Sequence, residues 1–307
     1  MKRNFPHIGL AKLCGWFGIT RQAYYQDNWK EMEHGIEDEL VLKEVLRIRK
    51  DHRRIGTRKL YEMITPALME HQIKIGRDKL FDLLSCHQLL IRRRRRYIKT
   101  TWSKHWLRKY PNLIRNFVPT APNQLWVSDI TYWKVKQYPV YITFITDAYS
   151  HKIVGYNLGE TLEAVENVHA LKMALQAIAG LAINLIHHSD RGLQYCSQEY
   201  VRLLEKYEVQ ISMTESGDPL ENPVAERVNG IMKEEYLDPQ GVKSIKEAIV
   251  YLHKAIALYN TERPHMSISN YTPEVIHHSK NNIAVKRLWK NYYGKKKTIE
   301  KEVFNNG

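Results

Sequence analysis

The sequence predicts an α/β protein: a β-rich second half ordered βββαβαβα, preceded by a small all-helical region. Two observations carry this expectation. Residues 125–158 hold three β-branched and aromatic runs separated by short turns, after which helix-spaced apolar stripes alternate with short apolar runs. The first 90 residues instead break into short amphipathic stripes of helical period.

In the helical region Leu10, Leu13 and Phe17 share one short helix, Gly18 makes a turn, and Thr20 is placed to cap a second helix, which is helix-turn-helix spacing. Val41, Val45 and Ile48 form one stripe over residues 37–50, with Arg47, Arg49 and Lys50 outside it. A further helix starts at Thr57, bears Leu60 and Ile64, and is expected to end at Thr65-Pro66. Residues 78–89 follow, with Leu80, Leu83 and Leu84 inward. After Pro119, Ala121 and Pro122 the composition changes. LWVSDITYWKV (125–135) reads as a first strand, YPVYITFITD (138–147) as a covered central strand because it is apolar on both faces, and residues 152–158 as a third. Leu162, Val165, Val168, Leu171, Leu175 and Ile178 mark a helix that Gly180 stops. A strand over 183–188, a helix over 198–207, a strand over 209–213, a Gly-Asp-Pro loop and a helix over 223–236 complete the order.

A chain of 307 residues with 43% apolar and 26% charged residues has the composition of a folded soluble protein and excludes a disordered or fibrous one. Its 47 Lys and Arg exceed 33 Asp and Glu, for a net charge of +14, which fits a polyanionic partner. The excess is local: residues 1–122 hold 26 basic against 12 acidic side chains, residues 123–307 hold 21 against 21. Within the first part Arg92, Arg93, Arg94, Arg95 and Arg96 run unbroken, followed by Lys99, Lys104, Arg108 and Lys109, with Tyr97, Trp102, Trp106 and Tyr110 interleaved. Such a run can be a mere solvated linker. Its place between two domains and its alternating aromatics favour a nucleic-acid backbone. No apolar run approaches the roughly 18 residues that span a bilayer, and residues 1–20 lack a signal-peptide pattern, so an intracellular protein with no membrane partner is expected. Cys14, Cys86 and Cys196 are odd in number and far apart, which argues against disulfides and a cysteine zinc site.

Three carboxylates occupy telling positions: Asp129 in the first strand, Asp190 just past the fourth, and Glu226 in the first turns of the helix after the fifth. In an open α/β sheet these places face one crevice. Oxygen ligands from three elements suit Mg²⁺, and two such ions about 4 Å apart can clamp the attacking and leaving oxygens of phosphoryl transfer. A single Asp at a strand end is more often a turn or cap residue; three in this topology beside a basic region point to chemistry on phosphodiesters. Glu215 competes for the third place but lies in a loop beside Gly217 and Pro219.

The motifs WVSDITYW (126–133), HHSDRGLQYCS (187–197), NPVAERVNGIMKEE (222–235) and YNTERPH (259–265), with Tyr271-Thr272-Pro273, occur in that order. With them the chain resembles the insertion-sequence transposases of the DDE, retroviral-integrase-like superfamily, in their OrfB-type branch. HRRIGTRKLYEMI and IGRDKLFDLLSCHQL resemble that branch's helix-turn-helix region. The resemblance implies a ribonuclease H-like mixed five-stranded sheet over residues 123–275, behind a helix-turn-helix DNA-binding region (1–90) and a basic linker (91–122), with a basic tail (276–307). It also implies that Asp129, Asp190 and Glu226 bind two Mg²⁺ ions, with Mn²⁺ able to substitute. They would cut the element's ends and join the freed 3′ hydroxyl to target DNA. The implied partners are double-stranded DNA, as terminal inverted repeats and target, a second copy of the chain, and in this branch an upstream-frame protein joined by frameshift. Two departures stand out: Glu221-Asn222 replaces the usual Asp-Asn, and Arg227 replaces the Ser that often follows the catalytic Glu. A catalytically silent DNA-binding regulator and a ribonuclease H or junction nuclease are the competing readings.

Around these ligands, Lys233 stands two helical turns beyond Glu226 on the face of Asn229, so both are placed to touch DNA phosphates. His188 is expected to be satisfied by backbone rather than to ligate metal, and Arg191, Gly192 and Gln194 to shape the turn after the strand. Arg263 and His265 either hold DNA or cap the domain. No protein nucleophile is required, since water and a DNA 3′ hydroxyl attack in turn.

Overall fold

The structure is a computed structural model that describes residues 7–91, 106–136, 138–179, 184–215 and 221–279, without the side chains of 27–34. Arg92 to Arg96 and Lys295 to Lys297 lie outside the described residues. Contacts divide the chain into two units, one of Met1–Asp51 and Gly56–Leu90, the other of His52–Ile55 and Ile91–Gly307.

The first unit is helical: α1 (Leu10–Trp16), α2 (Arg21–Arg49), α3 (Thr57–Glu70) and α4 (Arg77–Cys86). Gly18 turns the chain at φ +66, a conformation open to glycine, and the Thr20 hydroxyl accepts the Ala23 N–H at 3.0 Å to cap α2. The two helices expected over 20–27 and 37–50 are one continuous helix. Most of the expected stripes form the core, since Leu13, Val41, Val45, Ile48, Leu60, Ile64, Leu80 and Leu84 are buried, but Phe17 lies just past α1 and is exposed. Pro66 does not end its helix, contrary to expectation. The Thr65 hydroxyl donates to the Tyr61 carbonyl at 2.7 Å within the turn that Pro66 disrupts, and Leu68, buried beyond the proline, rewards the extra turn.

The second unit is a five-stranded sheet ordered β3-β2-β1-β4-β5. Its strands are β1 (Leu125–Val135), β2 (Tyr138–Asp147), β3 (Ile153–Gly159), β4 (Ile186–Ser189) and β5 (Gln210–Met213). The first three are antiparallel; β4 and β5 join in parallel. Helices α5 (Ala164–Gln176), α6 (Gln198–Lys206), α7 (Pro223–Ile231), α8 (Ile245–Thr261) and α9 (Pro273–His278) flank the sheet, and a π-helical stretch, Met232–Leu237, continues α7.

Strand periodicity sends alternate residues to two cores. Trp133, Val135, Val140, Ile142 and Phe144 pack with α7, the π stretch and α8, whereas Trp126 and Ile145 pack with α5 and α6. Asp129 has the parity of Trp133, which turns it toward the α7 face.

Arg263 and His265 are buried. The Arg263 guanidinium grips Glu235 with two bonds, at 2.7 and 2.8 Å, and the His265 ring stacks on His151. Of the two expectations for these residues, capping the domain is the one the packing meets. Arg263→Ala would strand a largely buried carboxylate, and urea unfolding should show the second unit destabilised by roughly 3–5 kcal/mol.

Candidate active site

Sheet register brings the first two carboxylates together. Parallel pairing runs Leu125↔Ile186, Trp126↔His187 and Val127↔His188. Two residues further on both strands stand Asp129 and Asp190, on neighbouring chain paths that a sheet spaces about 4.8 Å apart. Ten antiparallel pairs with β2, from Trp126↔Asp147 to Val135↔Tyr138, hold β1 in place for this.

Each acid is held differently. The Asp129 carboxylate accepts the Ile130 N–H at 2.9 Å through one oxygen and the Asn229 amide at 2.7 Å through the other. Asp190 accepts the Gly192 N–H at 2.9 Å, closing a tight turn just past β4. A Cβ on Gly192 would come 2.9 Å from that same carboxylate oxygen, so a larger residue there would push the Asp190 side chain aside. Gln194 ties the turn to the Leu162 carbonyl at 2.9 Å. Glu226 is exposed in the first turns of α7, and its N–H bonds the Asn222 carbonyl at 3.2 Å.

The electrostatics register this proximity. Burial, then the charges of Asp190 and Glu226, push the Asp129 carboxyl up to about 8, against the opposing bonds from Ile130 and Asn229. The three acids share one field, but among the described residues no three His, Cys, Asp or Glu side chains are gathered closely enough to chelate an ion as they stand. The donor set fits a hard divalent cation: all oxygen, three carboxylates, with the Asn222 and Asn229 amide oxygens buried and lacking hydrogen-bond partners.

Among the residues expected to meet DNA, Asn229 is 7% exposed and donates to Asp129, while the Lys233 ammonium lies 3.2 Å above the Tyr132 ring. Asn229 is thus buried against Asp129 rather than presented to solvent. The Glu215 carboxylate is engaged by Arg115, and the Glu215 N–H bonds the Glu221 carboxylate at 2.5 Å. His188 bonds Ser212 and the Glu221 carbonyl at 2.8 and 3.1 Å, as expected of a backbone-satisfied histidine, and burial draws its pKa down to about 4. Sequence reasoning missed Ser128 and Asn222, whose contact (Asn222 amide to Ser128 carbonyl, 3.0 Å) joins the start of α7 to β1. The adjacency of Ser128 to Asp129, and of Asn222 to the motif that holds Glu226, was the available signal. Ser150, His277 and Asp147 also meet, but the hydroxyl donates to the carboxylate at 2.7 Å, so Asp147 orients the serine rather than the imidazole. That is a knot holding α9, not a nucleophilic triad.

The integrase core domain family matches residues 119–219, and a second profile of the same description matches 207–273. A 31 kDa protein of insertion element IS600 from Shigella sonnei is 35% identical over 265 residues, which cover 85% of this chain and 96% of that protein. The transposase of insertion sequence element IS629 from the same organism is 28% identical over 262 residues, 83% of this chain and 86% of its own. A solved HTLV-2 integrase catalytic core in complex with magnesium is 25% identical, with 52% of this chain covering 99% of it at a TM-score of 0.40. The chain belongs to the integrase core family, as an insertion-sequence transposase of the DDE superfamily.

The raised Asp129 pKa carries a sign that can be checked. An acid protonated more readily in the folded than in the unfolded state stabilises the fold fully below about pH 4, and loses that contribution as pH rises toward 8. Metal-free Asp129→Asn should therefore melt above the parent protein, by a margin that widens from pH 5 to pH 8 in a thermal unfolding series.

Proposed function

We propose that this transposase binds the ends of its insertion sequence and catalyses strand cleavage and strand transfer at Asp129, Asp190 and Glu226. The observation that carries the reading is the half-buried Asp129 carboxyl, pushed up first by desolvation and then by the charges of Asp190 and Glu226, the two acids that the motifs pair with it. A site that concentrates negative charge at this cost is matched by divalent cations, Mg²⁺ or Mn²⁺, two per site. Such ions supply charge neutralisation and orient the attacking and leaving oxygens.

The chain's own residues bind and aim. Asp129, with its second oxygen steadied by Asn229, and Asp190, fixed by the Gly192 turn, present oxygens from adjacent strands. Glu226 closes the set from α7, where its exposed side chain has room to swing. Lys233, propped on Tyr132 two helical turns beyond Glu226, would meet a DNA phosphate. In the first step water adds to an end phosphodiester and the P–O3′ bond breaks, freeing a 3′ hydroxyl. In the second that hydroxyl attacks a target phosphodiester, a new P–O bond forms, and the target's own 3′ oxygen leaves with the proton. No protein nucleophile enters either balance. Two DNA ends processed together call for at least two protomers.

Element-end oligonucleotides separate this reading from a silent regulator. Asp190→Asn should abolish Mg²⁺-dependent nicking and joining, by at least about a thousandfold for a lost transition-state charge contact, while end binding in a gel-shift assay persists. Parent protein that binds ends but joins none under any divalent metal would overturn the proposal, and preference for an RNA–DNA hybrid would redirect it to a ribonuclease. Replacing Arg92 to Arg96 with alanine should weaken binding to all sequences alike and flatten the salt dependence, by up to about 4 or 5 in the slope of log K against log salt.

A further inference from the structure

The helix carrying Glu226 begins without the usual help. No side chain caps α7, and its N-cap residue, Asn222, has φ −135 and ψ 48. An uncapped N-terminus leaves several N–H groups without intrahelical partners and lets the first turn fray. Yet the first turn is where Glu226 must be aimed.

The start of α7 is instead held from the sheet beneath. We propose that His188 is the positioning residue for Glu226, fixing through its bond to the Glu221 carbonyl the point at which α7 begins. Three hydrogen bonds form a line: the Leu113 N–H reaches the Ser212 hydroxyl at 2.9 Å, that hydroxyl meets His188 Nδ1 at 2.8 Å, and His188 Nε2 meets the Glu221 carbonyl at 3.1 Å. Donors and acceptors can be assigned along it without remainder. A carbonyl only accepts, so Nε2 carries the proton; Nδ1 then accepts from Ser212, whose oxygen accepts from Leu113. His188 and Ser212 are both fully buried, so water cannot replace either bond.

The line ends one residue from the bond that places Glu226. The Glu221 carbonyl belongs to the peptide that enters Asn222; the Asn222 carbonyl accepts the Glu226 N–H at 3.2 Å. The Asn222 side chain bonds the Ser128 carbonyl, next to Asp129, at 3.0 Å. His188 has the strand parity of Asp190 and pairs with Val127 on one side and Ser212 on the other. The strand that presents Asp190 thereby also tethers the helix that presents Glu226, and the spacing of the two acids is set by one rigid element.

The inference rests on Glu226 being the third ligand, and its test reads the tether and the chemistry separately. In the metal-free full chain, His188→Asn keeps a polar group toward Ser212 but loses the donor to Glu221, whereas His188→Gln extends an amide N–H toward that carbonyl. Amide hydrogen exchange should speed up in residues 224–229 of His188→Asn by about tenfold or more, with β1 and β2 still protected, and return toward the parent rate in His188→Gln. The Mg²⁺ concentration for half-maximal end cleavage should rise roughly 10- to 100-fold in His188→Asn, with end binding in EDTA unchanged. Ser212→Ala, which removes the group orienting the ring, should shift both readouts the same way and serves if His188→Asn does not fold. Equal behaviour of the Asn and Gln variants, or faster exchange spread over the whole sheet, overturns the positioning role. Parent protein inactive with every divalent metal would instead sink the functional reading, leaving the exchange result to judge the tether.

Discussion

Holding Asp129, on the central strand β1, within the field of Asp190 and Glu226 is the constraint on which the rest of the second unit depends. Like charges in a partly desolvated place resist ionisation, and the Asp129 carboxyl expresses that resistance in its pKa near 8. Such a cluster persists only because the backbone leaves it no alternative. The antiparallel ladder with β2 pins β1 over its length, and slipping that register by one residue would turn Asp129 to the opposite face while exposing Trp133 and Val135. Apolar burial on both faces thus underwrites an electrostatic arrangement that is unfavourable by itself.

Polar groups beneath the site follow a complementary logic. Ser128, Asn222, His188, Ser212 and Glu221 are all buried, and their bonds run between elements rather than within them. Buried polar pairs contribute little net stability but are costly to leave unmade, so they select one arrangement of β1, β4, β5 and α7 over near alternatives. The segment preceding the sheet shares in this: the Pro111 carbonyl accepts the Met213 N–H at 3.2 Å and Arg115 pairs with Glu215. It lies along the outer strand β5, covering an edge that would otherwise be open to pairing with another chain. Farther along α7 the change to a π-helical stretch carries Lys233 onto Tyr132 and Glu235 onto Arg263. Such stretches recur near functional sites because the widened turn re-aims side chains without ending the helix.

Charge is divided between the two parts of the sequence in a way that suits the proposed chemistry. Residues 123–307 balance 21 basic against 21 acidic side chains, three of them Asp129, Asp190 and Glu226. An acidic site and a polyanionic substrate repel each other, so attraction has to come from elsewhere in the chain. The whole basic excess of the sequence lies in residues 1–122. In the proposed function, long-range steering by the basic region and local neutralisation by divalent cations at the three acids would be separate tasks.

What the sequence by itself determined was whatever depends on near neighbours in the chain. Alternating and all-apolar runs marked β1 and β2, Gly18 and Thr20 marked the first turn and cap, and ordered motifs singled out Asp129, Asp190 and Glu226. Local rules failed where distant packing outweighed them: Pro66 should stop α3, but burial of Leu68 carries the helix past it. Asn229 and Lys233, read from helical spacing as two surface groups, parted company because one faces Asp129 and the other a tyrosine on β1. Only the tertiary structure decided that Arg263 is a buried clamp and that Leu113, Ser212, His188 and Glu221 form one line. Periodicity reports which way a side chain faces relative to its own element; which atom it meets there is set by strand order and register, and those arise from the chain folding on itself.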